Sequence, residues 1–182
     1  KLGQGIKGLA GRRGVEVLIG RGYFEDSQTL RVETKDGQKF VKYQQAIIAV
    51  GSKPALPKAF DLGNKRIMTS TEALELEDIP KDLLIVGGGY IGMELGTVYA
   101  ALGSKVVVVE ALKSILTGVD PDLSRYVMNY AEKAFKEVRL NVKVSKMATS
   151  GKQIKVAMDI EGKSREELYD CVLVSVGRVP SS

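Results

Sequence analysis

The stretch "LLIVGGGYIGMELG", Leu83–Gly96, decides the fold. Four apolar residues suited to a buried strand run into three consecutive glycines, and an amphipathic helical pattern follows at once. Gly87, Gly89 and Gly92 form G-x-G-x-x-G, with Gly88 at its first variable position. Such a pattern becomes specific through its context: a strand before it, a helix after it and an acid at the end of the next strand. That acid is Glu110, closing "KVVVVE" 23 residues beyond Gly87, close to the roughly 20 expected for a ribose-binding carboxylate.

Each position has a physical task. Gly87 lets the chain turn tightly out of the strand, and Gly92 lets the helix lie close on it. Gly96 continues the small face one turn later. Gly89 has no side chain, so a pyrophosphate can approach the amides at the helix N-terminus, where the helix dipole favours an anion. Glu110 would accept hydrogen bonds from both adenosine ribose hydroxyls. A 2′-phosphate would meet like charge there, and the following "ALKSIL" offers one lysine and no arginine. NAD(H) is therefore expected over NADP(H), with Gly87, Gly88, Gly89, Ile91, Gly92 and Glu110 as candidate contacts. The competing reading of the same residues is a glycine-rich structural turn with a surface glutamate.

Outward from this turn the order is βαβα. The helix is expected from about Tyr90 to Leu102, with Ile91, Leu95, Val98 and Leu102 at helical spacing, and Gly103 ends it. "KVVVVE" is apolar on both faces, as a central parallel strand should be. Asp120 and Pro121 begin a second helix lined by Leu123, Val127, Ala131, Ala134, Phe135 and Val138. Strands follow near "LNVKVS", "QIKVAMDI" and "CVLVSV". The pattern is that of an open, doubly wound α/β unit.

Upstream, residues 1–50 read as strand-rich after a short lead-in. "GVEVLIGRGYF", "TLRVET" and "KFVKYQQAIIAV" are β-prone, and "KDGQ" carries an Asp-Gly turn signal. They predict a meander of short antiparallel strands. Pro54, Pro57 and Gly63 mark a connector, after which Thr69 and Glu72 have capping-box spacing for a short helix through "EALELED". The expected fold class is α/β: a Rossmann-like NAD-binding domain over 65–182, preceded by a β-meander segment and connector over 1–64.

Composition excludes several function classes. Of 182 residues, 44% are apolar, enough for a sizeable core, yet no run approaches the eighteen or so needed to span a bilayer. The opening residues lack a signal peptide's apolar centre. Net charge is +5, but lysine and arginine are interleaved with acids, so neither a nucleic-acid nor a membrane partner is expected. A single cysteine, Cys171, excludes a disulfide framework and leaves no metal cluster; inside "CVLVSV" it reads as a small core hydrophobe. Histidine is absent. No catalytic residue is expected in the chain.

The stretch "IPKDLLIVGGGYIGMELGTVYAALGSKVVVVE" resembles the NAD-binding domain of the dihydrolipoamide dehydrogenase family, among the flavin-dependent pyridine nucleotide–disulfide oxidoreductases. "GLAGRRGVEVLIGRGYF", "AIIAVGSKP" and "LVSVGRVP" match that family's landmarks in order and spacing, so the resemblance covers nearly the whole chain. It implies two cofactors, FAD and NAD. Residues 1–64 would belong to a partial FAD-binding domain, with Gly22 near the FAD adenosine and Val50, Gly51 and Ser52 against FAD. From the residues alone, Gly51 is a strand-ending turn. The resemblance adds Val144 at an adenine-contacting position, and Val176, Gly177 and Arg178 where backbone and side chain approach the nicotinamide. Glu94, placed in the first helical turn, either complements the dipole or lies near the nicotinamide amide. Tyr90 either covers the nicotinamide pocket or is a half-exposed aromatic at a helix start.

The same resemblance implies parts outside this sequence: a first FAD-binding G-x-G-x-x-G, a CxxxxC redox pair, a later G-D segment for FAD, and an interface domain with a His–Glu pair. The chain is thus expected to be an internal portion that binds NAD(H) weakly and catalyses nothing alone. Its parent would oxidise dihydrolipoamide, carried on an acyl-carrier component of a 2-oxo acid dehydrogenase complex, as a homodimer in bacterial cytoplasm or mitochondrial matrix. Alternatives are a mercuric reductase or NADH oxidase type of the same family, and a stand-alone NAD-binding module.

Overall fold

The computed structural model describes residues 2–181, and the chain divides into two compact units, Lys1–Ala49 and Val50–Ser182. The expected boundary lay after Asn64. The connector instead packs with the second unit, because Leu56 and Phe60 lie against its core and residues 52–54 pair with its last strand.

The first unit opens with a helix that sequence reasoning missed, α1 (Leu2–Arg12). Four glycines at 3, 5, 8 and 11, each costing about 1 kcal/mol against alanine, hid it. Gly14, at φ 65°, follows it, and Val15 N–H reaches back to the Ala10 carbonyl at 2.9 Å, closing the C-terminus in a Schellman-type turn. The expected meander is present: β1 (Arg21–Phe24), β2 (Thr29–Thr34) and β3 (Gly37–Lys42) pair antiparallel in that order. The Asp-Gly signal sits at the β2–β3 turn, with Gly37 at φ 115°. Two expected strand segments, 14–20 and 46–50, have no regular structure, and Ile19, Ile47 and Ile48 are largely exposed. Apolar β-prone residues form a strand only where a partner edge exists, and neither segment has one here.

The second unit begins with β4 (Ser52–Pro54) and β5 (Ile67–Met68), then α2 (Ser70–Glu75). The capping box is as expected: Thr71 N–H donates to Thr69 Oγ1 at 3.3 Å, and Thr69 N–H donates to Glu72 at 2.7 Å. There follow β6 (Asp82–Val86), α3 (Tyr90–Ala101), β7 (Lys105–Val109), α4 (Pro121–Ala134) and β8 (Glu137–Arg139). Then come β9 (Lys143–Ser150), β10 (Gln153–Ile160), β11 (Lys163–Tyr169), β12 (Cys171–Val174) and β13 (Arg178–Pro180). A five-stranded parallel sheet has the order β5-β12-β6-β7-β8.

Alternate residues of the central strands point to opposite faces. Leu83, Ile85, Val106, Val108 and Leu173 meet α3 and α4 through Met93, Leu95, Tyr99, Ala131 and Phe135. Leu84, Val86, Val107, Val172 and Val174 meet Met147, Ile154, Val156 and Met158. That second face is covered by the antiparallel sheet β11-β10-β9, not by helices. The unit is therefore Rossmann-like, with a β-meander replacing one helical crossover, which corrects the doubly wound expectation. Cys171 is a buried strand residue, 3% exposed, as its pattern indicated. No helix among the described residues is long and apolar enough to cross a membrane.

Two helix faces also need correction. On α3 the buried residues are Gly92, Met93, Leu95, Gly96 and Tyr99, while Val98 and Leu102 are exposed. Close approach, not apolarity, selects that face: a side chain on Gly96 would press on Phe135 and Ile85. On α4, Leu123 is exposed, and Val138 belongs to β8, because the helix stops at Ala134.

Candidate functional site

In the parallel sheet, β6 connects rightward to β7 and its other neighbour is β12, so the strand order reverses beside β6. The crevice outside the C-terminal ends of strands at such a reversal is where open α/β sheets take ligands. A cleft of about 670 Å³ lies there, walled by the ends of β6, β7 and β12 and by the start of α3.

The glycine turn forms its floor. Gly87 takes φ 107°, a conformation in which a side chain is strained, and its N–H donates to the Val109 carbonyl at 2.9 Å. A Cβ on Gly92 would collide with the Gly87 carbonyl, so that glycine seats α3 on the turn. Gly89 is the N-cap of α3 and supplies no side-chain cap. A Cβ there would meet nothing within 4 Å. The helix N-terminus thus presents uncapped amides to open space, the arrangement that binds anions.

Glu110 leaves the end of β7 and faces this turn. One carboxylate oxygen accepts from Gly88 N–H at 2.7 Å and the other from Leu112 N–H at 2.9 Å. Each oxygen retains acceptor capacity for a further donor. Gly88 is held from both sides, because its carbonyl accepts from Leu116 N–H at 2.9 Å. Ile115, 4% exposed, packs where a Gly88 side chain would lie.

The cleft brings together Gly87, Gly89, Tyr90, Ile91 and Glu110 with Val144, Val176, Gly177 and Arg178. Val144 is 9% exposed in β9, and Tyr90 is 61% exposed at the first position of α3. Gly88 and Gly92 lie behind the lining as supports. Glu94 does not line the cleft and stands one turn later than expected, since the first turn of α3 contains no acid. The Arg178 side chain, besides lining the cleft, bonds Ser52: its Nε donates to Ser52 Oγ at 2.7 Å and a terminal nitrogen donates to the Ser52 carbonyl at 2.6 Å.

The FAD candidates are divided. Gly22 pairs with Val32 inside the first unit, whereas Val50, Gly51 and Ser52 open the second. Sequence reasoning missed Ser175, whose hydroxyl lies 3.1 and 3.0 Å from the Val86 and Gly87 carbonyls and ties β12 to the turn. A lone serine after an apolar run carries no signal for that task. Phe60, Leu112, Thr117 and Lys143 also line the cleft, drawn from segments read as connector, loop and strand edge.

These features suit a dinucleotide: an open approach over Gly89, uncapped amides for a pyrophosphate, and an anchored carboxylate for ribose hydroxyls beside apolar Leu112, Val142 and Val144.

Comparison with known proteins agrees with the geometry. The family model for pyridine nucleotide-disulphide oxidoreductase matches residues 1–182. The chain is 42% identical over 182 residues to a dihydrolipoyl dehydrogenase of Haemophilus influenzae, covering all of this chain and 38% of that protein. It is 37% identical over 182 residues to the dihydrolipoyl dehydrogenase of Geobacillus stearothermophilus, again covering 38% of its length. Among solved structures, LpdA from Mycobacterium tuberculosis is 26% identical with a TM-score of 0.82, covering 98% of this chain and 40% of that one. The HOCl-induced flavoprotein disulfide reductase RclA from Escherichia coli is 26% identical with a TM-score of 0.79, covering 98% and 40%. The chain thus spans well under half the length of these relatives.

Proposed function

The chain belongs to the pyridine nucleotide-disulphide oxidoreductase family, and from that premise we propose that Val50–Ser182 is the NAD(H)-binding part of a dihydrolipoamide dehydrogenase. The observation that carries this reading is the pairing of an anchored Glu110 with the open, uncapped start of α3 across one cleft. When bound, NAD supplies the hydride-accepting nicotinamide. The chain's own residues bind and orient it. The amides after Gly89 receive the pyrophosphate, and Glu110 accepts from the ribose hydroxyls and repels a 2′-phosphate. Val144 flanks the adenine, and Val176, Gly177 and the Tyr90 ring border the nicotinamide end.

In this reading Lys1–Ala49 is a portion of an FAD-binding domain, and Val50, Gly51 and Ser52, which open the NAD(H)-binding part, are candidate FAD contacts. The largely exposed Ile19, Ile47, Ile48 and Val50 support it, being apolar surface suited to further protein or flavin. The whole enzyme oxidises dihydrolipoamide to lipoamide with NAD⁺ as final acceptor, as a homodimer serving the acyl carrier of a 2-oxo acid dehydrogenase complex. Residues beyond this chain carry the thiol and acid–base steps, since Cys171 is buried and unsuited to exchange. Nuclear magnetic resonance of the chain tests the site. NADH should shift the amides of Gly87–Gly92, Leu112 and Val176–Arg178, and shifts confined elsewhere would refute it.

A further inference from the structure

At the mouth of the cleft the chain crosses itself. β4 and β13 pair antiparallel, with Ser52 opposite Pro180 and Pro54 opposite Arg178. The flanking bonds run from Ala55 N–H to the Gly177 carbonyl at 2.9 Å and from Ser181 N–H to the Gly51 carbonyl at 3.1 Å. The two prolines therefore stand at the alternate positions, where an N–H would point away from the partner. They leave the ladder intact and close both edges to a third strand. A ribbon of two strands, three residues each, is marginal in water. It is bounded at both ends by glycines in positive-φ conformations, Gly51 at 73° and Gly177 at 139°.

The Arg178 guanidinium spans this ribbon diagonally, from β13 to the Ser52 hydroxyl and carbonyl on β4. Two donors of one planar group fix both distance and orientation, which a single point charge does not. Arg178 directly follows Val176 and Gly177, which border the cleft, and these follow Ser175, which is bonded to the glycine turn. We propose that Arg178 is a positioning residue: its fork on Ser52 holds the β4–β13 ribbon closed and so fixes Val176 and Gly177 at the nicotinamide end of the cleft. The inference rests on the reading of the cleft as an NAD(H) site. Arg178 itself also lines the cleft, and the hold proposed here acts through the backbone of Val176 and Gly177.

The test uses the 182-residue chain with Arg178→Ala, Arg178→Lys, Ser52→Ala and the Ser52→Ala/Arg178→Ala pair. NADH and ADP-ribose affinities are measured, together with amide exchange at Ala55 and Ser181 without ligand. Arg178→Ala should weaken NADH about 2- to 10-fold, the range for lost hydrogen bonds, and leave ADP-ribose, which lacks the nicotinamide, unchanged. Arg178→Lys should behave like Arg178→Ala, because the fork and not the charge is at work. Ser52→Ala should weaken NADH in the same direction and add little in the Arg178→Ala background. Exchange at Ala55 and Ser181 should quicken in each variant. Unchanged NADH affinity and exchange in Arg178→Lys, or in Ser52→Ala, would overturn the clamp. If the unmutated chain bound neither ligand, the NAD(H) reading would fail by itself, and unchanged exchange in Arg178→Ala would then overturn the clamp separately.

Discussion

At the residue scale the site turns on Glu110, whose two oxygens are fixed by the amides of Gly88 and Leu112. Its removal leaves those amides and the ribose hydroxyls without an acceptor. Glu110→Ala should therefore weaken NADH by about 1–3 kcal/mol, roughly 5- to 150-fold in Kd by titration. Gly92 behaves differently, because a side chain there would press on protein. In Gly92→Ala the new methyl meets the Gly87 carbonyl and Ser175 Oγ, and thermal melting should show a loss of about 1–3 kcal/mol. Both residues were legible in the sequence, since the spacing of glycines and acid states its own chemistry. Ser175 and the Arg178–Ser52 clamp were not. They depend on which strand ends meet, and Ser52 and Arg178 lie far apart in the chain.

Among elements, tertiary contact decides what propensity leaves open. The α2 helix has six residues and would not persist alone. Its Ala73 carbonyl accepts a buried hydrogen bond from the Tyr99 hydroxyl of α3 at 2.9 Å. Tyr99→Phe should cost about 1 kcal/mol in denaturant unfolding and loosen α2 first. The strands β6, β7 and β12 were readable as apolar runs, because a parallel strand is buried on both faces. β11, "KSREELY", was missed since its outward residues are charged and it forms a sheet edge. The α1 helix was missed for the opposite reason, a composition that argues against the helix it forms.

Carboxylates join the sheets of the second unit. Asp170 accepts from Asp82 N–H and from the Gln153 side chain, both at 3.0 Å, and these bonds hold its carboxyl below the ordinary range. Burial raises the Glu167 carboxyl, but hydrogen bonds from Tyr169 and Arg139 outweigh it and the net shift is downward. A carboxyl depressed in the folded state stabilises above its unfolded value, and that contribution is lost as pH falls through the folded one. Melting temperature should hold steady from neutral pH down to about 5 and fall below about 4. Asp170→Asn should flatten that fall in a melting series across pH.

On the scale of the whole molecule the two units differ in what holds them. The buried core lies almost wholly in Val50–Ser182, and Val32 is the buried hydrophobic of the first unit among the described residues. Hydrogen exchange should find β1–β3 opening well before β6, β7 and β12. The division into a strand-rich front and a Rossmann-like body was legible, whereas its position was not, because a proline-marked connector gives no sign of which side it packs on. The central claim, that the cleft is built for a dinucleotide without a 2′-phosphate, is tested most directly by calorimetric titration of the chain with NADH and with NADPH. NADH should bind, and NADPH should bind at least about tenfold more weakly, a difference of roughly 1.4 kcal/mol. Equal affinities, or no NADH binding at all, would contradict it.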